Sequence, residues 1–391
     1  MLNLAPRVPR RKRANAVRTH LPLPLLPPLD TRKRTSYDPC KRLQQTITGV
    51  EEEAAGMATL KDVARTAGVS VASVSRVLSN QPQVSDALRE KVLAAAAHHS
   101  FRPNAVGRAL RGTGTRTIGL VVSDLLNPFF TELARAVEDA AREAGYLMIV
   151  GNADERPEQQ DLYVRTLLER QVDGLIVVPT VETSPLLREA ADLEQHLVLL
   201  DRPASEVHAP LVSSDTSDAV SQLVDYLVTT GRQNIGVLAG PQYAGTAHQR
   251  LEAVREALAR HGLDLPAERV WVGDYKRDSG RAQTRRMLDE RTTPEALLVS
   301  NGRMALGVLD TLSHAPVEGS PLPGDLALAA IDDLDVFTLL RPSVTAIAQP
   351  TRELGRRAFG LLLDRIAGKP VESVRIPCTL HLRESTEPRR V

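Results

Sequence analysis

From Thr117 onward the sequence alternates two textures, and few folds accommodate that alternation. Short apolar runs occupy Ile118–Val122, Leu147–Val150, Leu175–Val178, Leu197–Leu200, Ile235–Ala239, Ala296–Val299 and Leu326–Ile331. Between them lie stretches whose apolar residues recur at helical spacing, among them Leu133–Ala144, Leu162–Gln171, Ala219–Thr229 and Arg250–His261. Strands apolar on both faces and separated by helices pack as a parallel sheet with crossover helices. About 275 residues of this pattern predict two doubly wound lobes, and such sheets bind ligands just beyond the C-terminal ends of their strands. The residues that follow the apolar runs are therefore the first candidates for function.

The rest of the 391-residue chain differs in charge. Residues 1–56 carry 11 Lys/Arg against 5 Asp/Glu, residues 57–116 carry 9 against 3, and residues 117–391 carry 29 against 40. A basic end ahead of an acidic body suits a polyanion-binding head, although a solvated basic surface has the same composition. No run approaches the roughly 18 apolar residues that span a bilayer, and Leu21–Leu29 is too short and proline-broken for a signal-peptide core, so the expected location is the cytoplasm. Cys40 and Cys378 have neither disulfide-framework nor zinc-site spacing and read as inert thiols. Residues 1–56 mix Pro, Arg, Thr and Leu without period, as a disordered basic tail does, and the patterning that starts right after Met57 makes Met57 a candidate translation start.

Three short helices are expected within residues 57–102. Thr59 is placed to cap the first, with Leu60, Val63, Ala64 and Ala67 on one face, Asp62 near its positive end and Gly68 as its stop. Ser70 caps a second that carries Val74, Val77 and Leu78, and Ser85 a third with Leu88, Val92, Leu93 and Ala96 on one face. Helix, glycine turn, helix at this length is a helix-turn-helix pattern. The second helix is unusual because its outward residues are short. In a helix lying in the major groove, short side chains allow close approach. There Ser70, Ser73 and Asn80 reach phosphates, Val71 and Ala72 meet base edges, and Arg76 reaches guanine. Serine-rich turns also occur on ordinary surfaces, so the stretch alone does not decide. The following PNAVGRALRGTGTR, within the 103–116 linker, holds two helical turns with Gly107 inside; so short a helix forms only against a partner such as DNA, the plainer alternative being an interdomain linker.

With these residues in place the chain resembles the LacI/GalR family of bacterial regulators from Ala58 to about Thr386. The resemblance rests on TLKDVARTAGVSVASVSRVL, RPNAVGRALR, TIGLVVSDLLNPFF, MALGVL at 304–309 and RESTEP, in the family's order. It implies an all-α helix-turn-helix headpiece, a hinge helix at 103–116, and an α/β core over 117–391 with two lobes like those of periplasmic sugar-binding proteins. Carried onto this sequence, the family's DNA contacts fall on Thr59, Ser70, Val71, Ala72, Ser73, Arg76, Asn80, Ser85, Asn104, Ala105 and Leu110. Leu110 takes the place of a leucine that paired hinge helices wedge into the minor groove, unstacking a base step. The effector contacts fall on Asn127, Phe129, Phe130, Asp201, Thr246, Arg250 and Tyr275. Aromatic faces with Asp201 and Arg250 suit a small polar effector, a carbohydrate or derivative first and a nucleobase-like compound second. Taken singly, the two phenylalanines read as core, Tyr275 as a surface aromatic and Arg250 as a helix-surface charge; only their joint placement at strand ends reverses those readings.

The sequence departs from the family pattern in three places. Gly302 and Arg303 follow Asn301 where an aspartate is usual, Gly107 stands in the hinge where alanine is usual, and Ala244 replaces an arginine that some relatives carry. The first departure argues against a plain hexose. The implied partners are double-stranded, pseudo-palindromic operator DNA and a second copy of the chain, because one headpiece reads a half-site and paired hinge helices need two-fold symmetry. No heptad repeat follows the core, so a homodimer rather than a tetramer is expected. The alternatives are a periplasmic-type sugar-binding protein without a regulatory role, which lacks a headpiece, and an enzyme. No P-loop, GxSxG, post-strand GxGxxG or His-rich ligand set is present, and Asp332-Asp333-Leu334-Asp335 reads as a strand-end loop rather than a metal site. Neither cofactor nor metal is expected.

Overall fold

A computed structural model describes residues 58–78, 83–101, 114–180, 184–193, 196–241, 243–314 and 326–388. The chain divides into two compact units, one ending at Arg102 and one beginning at Pro103. Asn80, Asn104, Ala105, Gly107, Leu110 and Cys40 lie outside the described residues.

The first unit holds α1 (Leu60–Ala67), α2 (Val71–Leu78) and α3 (Asp86–His98). Each start and stop has a local cause. Thr59 and Asp62 form a reciprocal capping box: the Thr59 hydroxyl accepts from the Asp62 amide, and the Asp62 carboxylate accepts from the Thr59 amide at 3.0 Å. Gly68 ends α1 at φ 63°, where a glycine costs nothing and most residues are strained. The Ser70 hydroxyl accepts from the Ser73 amide at 3.1 Å, and that of Ser85 from the Leu88 amide at 3.4 Å. Val63, Ala67, Val74, Val77, Val92 and Ala96 form the shared core. Leu93, expected on that core face, is 49% exposed. Five residues after Leu88 it has turned roughly 140° around the helix, and Ala95 takes the inward place.

The second unit contains two six-stranded sheets with helices on both faces. Sheet one joins β1 (Thr117–Val122), β2 (Leu147–Asn152), β3 (Gly174–Val177), β4 (Leu197–Leu200), β5 (Leu211–Asp215) and β11 (Val374–Pro377) in the order β11-β5-β4-β3-β1-β2. Sheet two joins β6 (Ile235–Ala239), β7 (Val270–Val272), β8 (Ala296–Val299), β9 (Ala327–Ile331), β10 (Thr345–Ala348) and β12 (Thr379–His381) in the order β12-β10-β9-β8-β6-β7. Pairing is parallel throughout except between β10 and β12, which run antiparallel. The seven apolar runs expected as strands are all strands. The helices are α4 (Pro128–Glu143), α5 (Pro157–Glu169), α6 (Pro185–Asp192), α7 (Ser217–Thr229), α8 (Gly245–Arg260), α9 (Arg277–Asp289), α10 (Gly302–Ser313), α11 (Asp335–Leu339) and α12 (Thr351–Ile366). α4 and α5 begin five residues before the apolar pattern announces them. A proline opens each, where its missing N–H costs nothing and its φ is already helical.

The chain passes between the lobes three times, after β5, after β10 and between β11 and β12, so α12 and β11 belong to lobe one although they come late in the sequence. The central strands β3, β4, β6, β8 and β9 are buried end to end, which explains their unbroken apolar runs. Like β7, β11 and β12, β2 is partly exposed. It is an edge strand, and Leu147 at 73% and Ile149 at 41% stand exposed on it.

Candidate functional site

The C-terminal ends of the two sheets converge on a cleft. All seven residues singled out from the sequence line it, namely Asn127, Phe129 and Phe130 from the start of α4, Asp201 after β4, Thr246 and Arg250 in the first turns of α8, and Tyr275 after β7. Asn127 caps α4 by accepting from the Phe129 amide at 3.2 Å. Phe129 and Phe130 meet edge to face at 4.9 Å and also belong to the core of lobe one, so the core reading and the cavity reading of this pair both hold. Arg250 is buried and donates to the Ser300 carbonyl at 2.7 Å. Tyr275 is buried, its hydroxyl 3.2 Å from that of Thr246. Its ring lies so close to Gly240 that a Cβ there would come within 2.2 Å of it. The ring position thus depends on a glycine 35 residues earlier.

Seven further residues line the cleft: Asp124, Glu155, Arg202, Lys276, Asn301, Asp332 and Gln349. Several directly follow strands, so the strand-end rule contained the signal for them: Arg202 is second after β4, Asn301 second after β8, and Asp332 and Gln349 first after β9 and β10. Asn301 caps α10 by accepting from the Met304 amide at 2.9 Å and donates to the Tyr275 carbonyl at 3.0 Å. Asp332 accepts from the Gly302 amide at 3.1 Å and from Gln349 at 2.6 Å, and the Ser214 hydroxyl bonds Gln349 in turn. This chain of bonds joins the end of β5 to the β10 crossover and the start of α10.

Backbone strain marks the same place. Glu155, Asp201, Tyr275 and Asp332 all have positive φ, between 55° and 73°, and all line the cleft. Non-glycine residues take such angles rarely, and they gather where a fold must aim side chains at one point.

The charges in the cleft are paired within it. Both terminal nitrogens of Arg202 donate to the Glu155 carboxylate at 2.7 Å, and the guanidinium lies over the rings of Phe130 and Tyr275 at 5.9 and 5.4 Å from their centroids. Burial alone would lower the pKa of Arg202, but Glu155, as counter-charge and acceptor, raises it. Burial raises that of Asp201, with Arg202 and Arg250 opposing. Lys276 of lobe two reaches Asp154 of lobe one at 3.2 Å, and Arg303 donates to the Leu126 carbonyl across the cleft at 2.7 Å. Gly302 has no room for the aspartate that the family pattern suggests, since a Cβ would lie 2.8 Å from the Leu334 side chain. The acidic stretch at 332–335 disperses: Asp333 pairs with Arg383 and His381, and Asp335 opens α11. Among the described residues no His/Cys/Asp/Glu group has a metal-binding arrangement, and burial pushes the Cys378 thiol up to about 12.

In the headpiece, α2 presents an exposed strip of Val71, Ala72 and Arg76, with Val71 41% exposed, while Val74 and Val77 face inward. Ser70 and Ser73 hydrogen-bond each other at 2.9 Å at its N-terminus. Thr59 and Ser85 both serve as helix caps. An apolar residue exposed beside short polar ones on a helix of this length does nothing for the core and leaves the strip open to close approach.

Comparison with known proteins agrees with this arrangement. Residues 59–104 match the bacterial regulatory proteins of the lacI family, and residues 224–386 match the periplasmic binding protein-like domain. The HTH-type transcriptional repressor CytR of Escherichia coli (strain K12) is 34% identical over 335 residues, covering 84% of this chain and 96% of that protein. The chain belongs to the LacI family. Catabolite control protein A of Priestia megaterium, 32% identical, covers 84% of this chain and 99% of its own length. Among solved structures, the lac repressor dimer bound to operator and the anti-inducer ONPF superposes with a TM-score of 0.72 at 30% identity, covering 84% and 99% of the two chains. The CelR–cellobiose complex does so with 0.63, again at 30% identity and 84% and 99% coverage. As a LacI-family member this chain is a DNA-binding transcriptional regulator, with the helix-turn-helix headpiece and two-sheet α/β core described above. Among its described residues no helix is long and apolar enough to cross a membrane.

Proposed function

We propose that this regulator is a repressor whose affinity for a pseudo-palindromic operator is set by a small polar effector, a carbohydrate or derivative, bound between the two lobes of the core. The observation that carries the reading is the convergence of polar and aromatic side chains from both sheets, with Asp201, Arg250 and Tyr275 among them, on one cleft at the strand ends. Such a mixture stacks on the apolar face of a sugar ring while fixing its hydroxyls. The relatives support it: CytR is named a repressor, and CelR was solved with cellobiose. The cleft binds and does not catalyse, and the protein works in the cytoplasm, where operators are.

On DNA, Ser70 and Ser73 bond phosphates, Val71 and Ala72 pack on base edges, and Arg76 reads guanine. Thr59 and Ser85 sit at helix N-termini, which favour phosphate oxygens. Asn80, Asn104, Ala105 and Leu110 complete the interface, Leu110 as the minor-groove wedge. The active form is a homodimer. The exposed apolar edge of β2 supports this, since an uncovered apolar edge strand invites pairing with another chain, and the related lac repressor was solved as a dimer on its operator. A gel shift of the full chain on DNA upstream of its own gene tests the proposal, at fixed salt because phosphate contacts make affinity salt-dependent. Specific retardation that resists competitor DNA and responds to an added sugar is expected; retardation that competitor DNA removes equally from every fragment would overturn it.

A further inference from the structure

The last linker residues before β1 are held by one carboxylate. Asp173, the residue just ahead of β3, accepts from the Thr115 amide at 2.6 Å and the Thr115 hydroxyl at 2.8 Å through Oδ1, and from the Arg116 amide at 2.8 Å through Oδ2. Hydrogen bonds to a carboxylate are stronger than those between neutral groups. Asp173 is itself anchored, its own amide donating to the Thr117 carbonyl at 2.7 Å. The Arg116 carbonyl accepts from the Leu147 amide at 2.9 Å, and the Arg116 guanidinium lies over the Tyr146 ring at 5.0 Å. The end of the linker is therefore tied to β3 on one side of β1 and to β2 on the other.

Solvation does not require this arrangement. Gly114 and Thr115 are half-buried and Arg116 is exposed, so water could serve the same donors. Water could not fix the direction of the chain. Gly114 shows how closely that direction is set: at φ 65° it turns the chain against Asp173, and a Cβ there would lie 2.8 Å from Oδ2. A side chain at 114 would be strained by the angle and pushed off by the carboxylate. The clamp stands where the chain passes from the linker into the core.

We propose that Asp173 is a positioning residue for operator binding: by fixing the exit of the linker on each subunit, it sets the separation at which two headpieces engage two half-sites. The inference rests on the reading of a dimer on a pseudo-palindromic operator. Once one headpiece is bound, the second acts at an effective concentration set by the length and stiffness of what connects them. A looser exit spreads the second headpiece over more positions and lowers that concentration at the correct one. Each base pair added between half-sites moves one of them by about 3.4 Å and turns it by roughly a tenth of a turn, so a fixed exit makes spacing selective. A loose exit makes it permissive.

Selection on randomised DNA with the full chain gives the operator. Anisotropy titrations at fixed salt then compare that operator, a single half-site, and operators lengthened at the centre by one and by two base pairs. The unaltered chain should lose roughly tenfold or more in affinity on lengthening. Asp173→Asn keeps the size of the side chain but turns an amide nitrogen, a donor, toward one of the donors it must hold. It should bind the operator about tenfold more weakly, the half-site within about twofold of the unaltered chain, and the lengthened operators within about threefold of the parent operator. Gly114→Ala attacks the same clamp from the linker side and should reproduce this pattern, and the double variant should lose little more than either single one. Equal losses on operator and half-site, or a variant that keeps the full spacing preference, overturn the proposal. Should Asp173→Asn not fold, Gly114→Ala decides by the same two comparisons. If the unaltered chain selects no two-fold site, the operator reading fails and this inference falls with it.

Discussion

The recognition face of the headpiece and the cleft of the core solve the problem of holding polar groups in opposite ways. On α2 the residues proposed to meet DNA are exposed apart from the half-buried Ser73, and Ser70 and Ser73 bond each other and their own helix. In the cleft, Arg202, Arg250, Asp332 and Asn301 are buried and each already has protein partners. The difference follows from the partner. A polyanion brings its own dense charge to a wet surface, so side chains there need no partner beforehand. A small ligand brings few bonds, and charges buried for it destabilise the fold by several kcal/mol unless the protein pairs them first. Changes in the headpiece should therefore alter binding and spare stability, whereas changes in the cleft should alter both.

Arg250→Ala tests that contrast most severely. Losing a buried guanidinium that holds the Ser300 carbonyl and faces Asp201 and Asp332 should lower the stability of the core by roughly 3–5 kcal/mol and abolish any ligand-induced thermal shift. Urea melts with and without a binding sugar measure both effects, and a variant with unaltered stability would place Arg250 on the headpiece side of the comparison. Arg76→Ala is the mirror experiment. Operator affinity should fall by roughly 1–3 kcal/mol, with preference relaxed at one symmetric base pair and the melt unchanged, which anisotropy titration and selection on randomised DNA would read.

Gly302→Ala sharpens the comparison at the cleft rim. Its Cβ would meet Leu334 at 2.8 Å, an overpacking cost of about 1–3 kcal/mol in lobe two that Leu334→Ala should partly relieve; additive losses in the double variant would show that the two sites do not touch. The smallest effect concerns a pair away from the cleft. Burial alone would raise the pKa of Asp333, but hydrogen bonds from Arg383 and His381 hold it below the ordinary 3.8. A depressed carboxylate stabilises the fold above its unfolded pKa and loses that stabilisation as pH falls through its folded value. Asp333→Asn should thus melt lower than the unaltered chain at pH 7, by about 1–2 kcal/mol, with the gap closing below pH 3.8. A gap independent of pH would assign the pair a packing role.

The effector cleft was legible wherever function coincided with a strand end. Asn127 and Asp201 follow apolar runs and Arg250 opens a helical stretch that sequence reading can place, while Thr246 and Tyr275 came from the family resemblance alone. Glu155 was not legible, because its importance lies in meeting Arg202, 47 residues later, across the ends of β2 and β4. The short strands β5, β7, β10, β11 and β12 also escaped, being three to five residues long and held by neighbours distant in sequence. Leu93 was misplaced because a run of alanines after it leaves the helical period ambiguous.

By itself the sequence determined the helix caps at Thr59, Ser70 and Ser85, the glycine stop at Gly68 and the alternation of strand and helix, since each depends on residues within one or two turns of one another. Tertiary structure alone decided that β2 is an edge with its apolar residues uncovered, that α12 and β11 return to lobe one, and that the Arg202 guanidinium is clamped between Glu155, Phe130 and Tyr275. Strand order and buried charge pairing join residues tens of positions apart, and local periodicity holds no record of which distant segment a strand end or a guanidinium will meet.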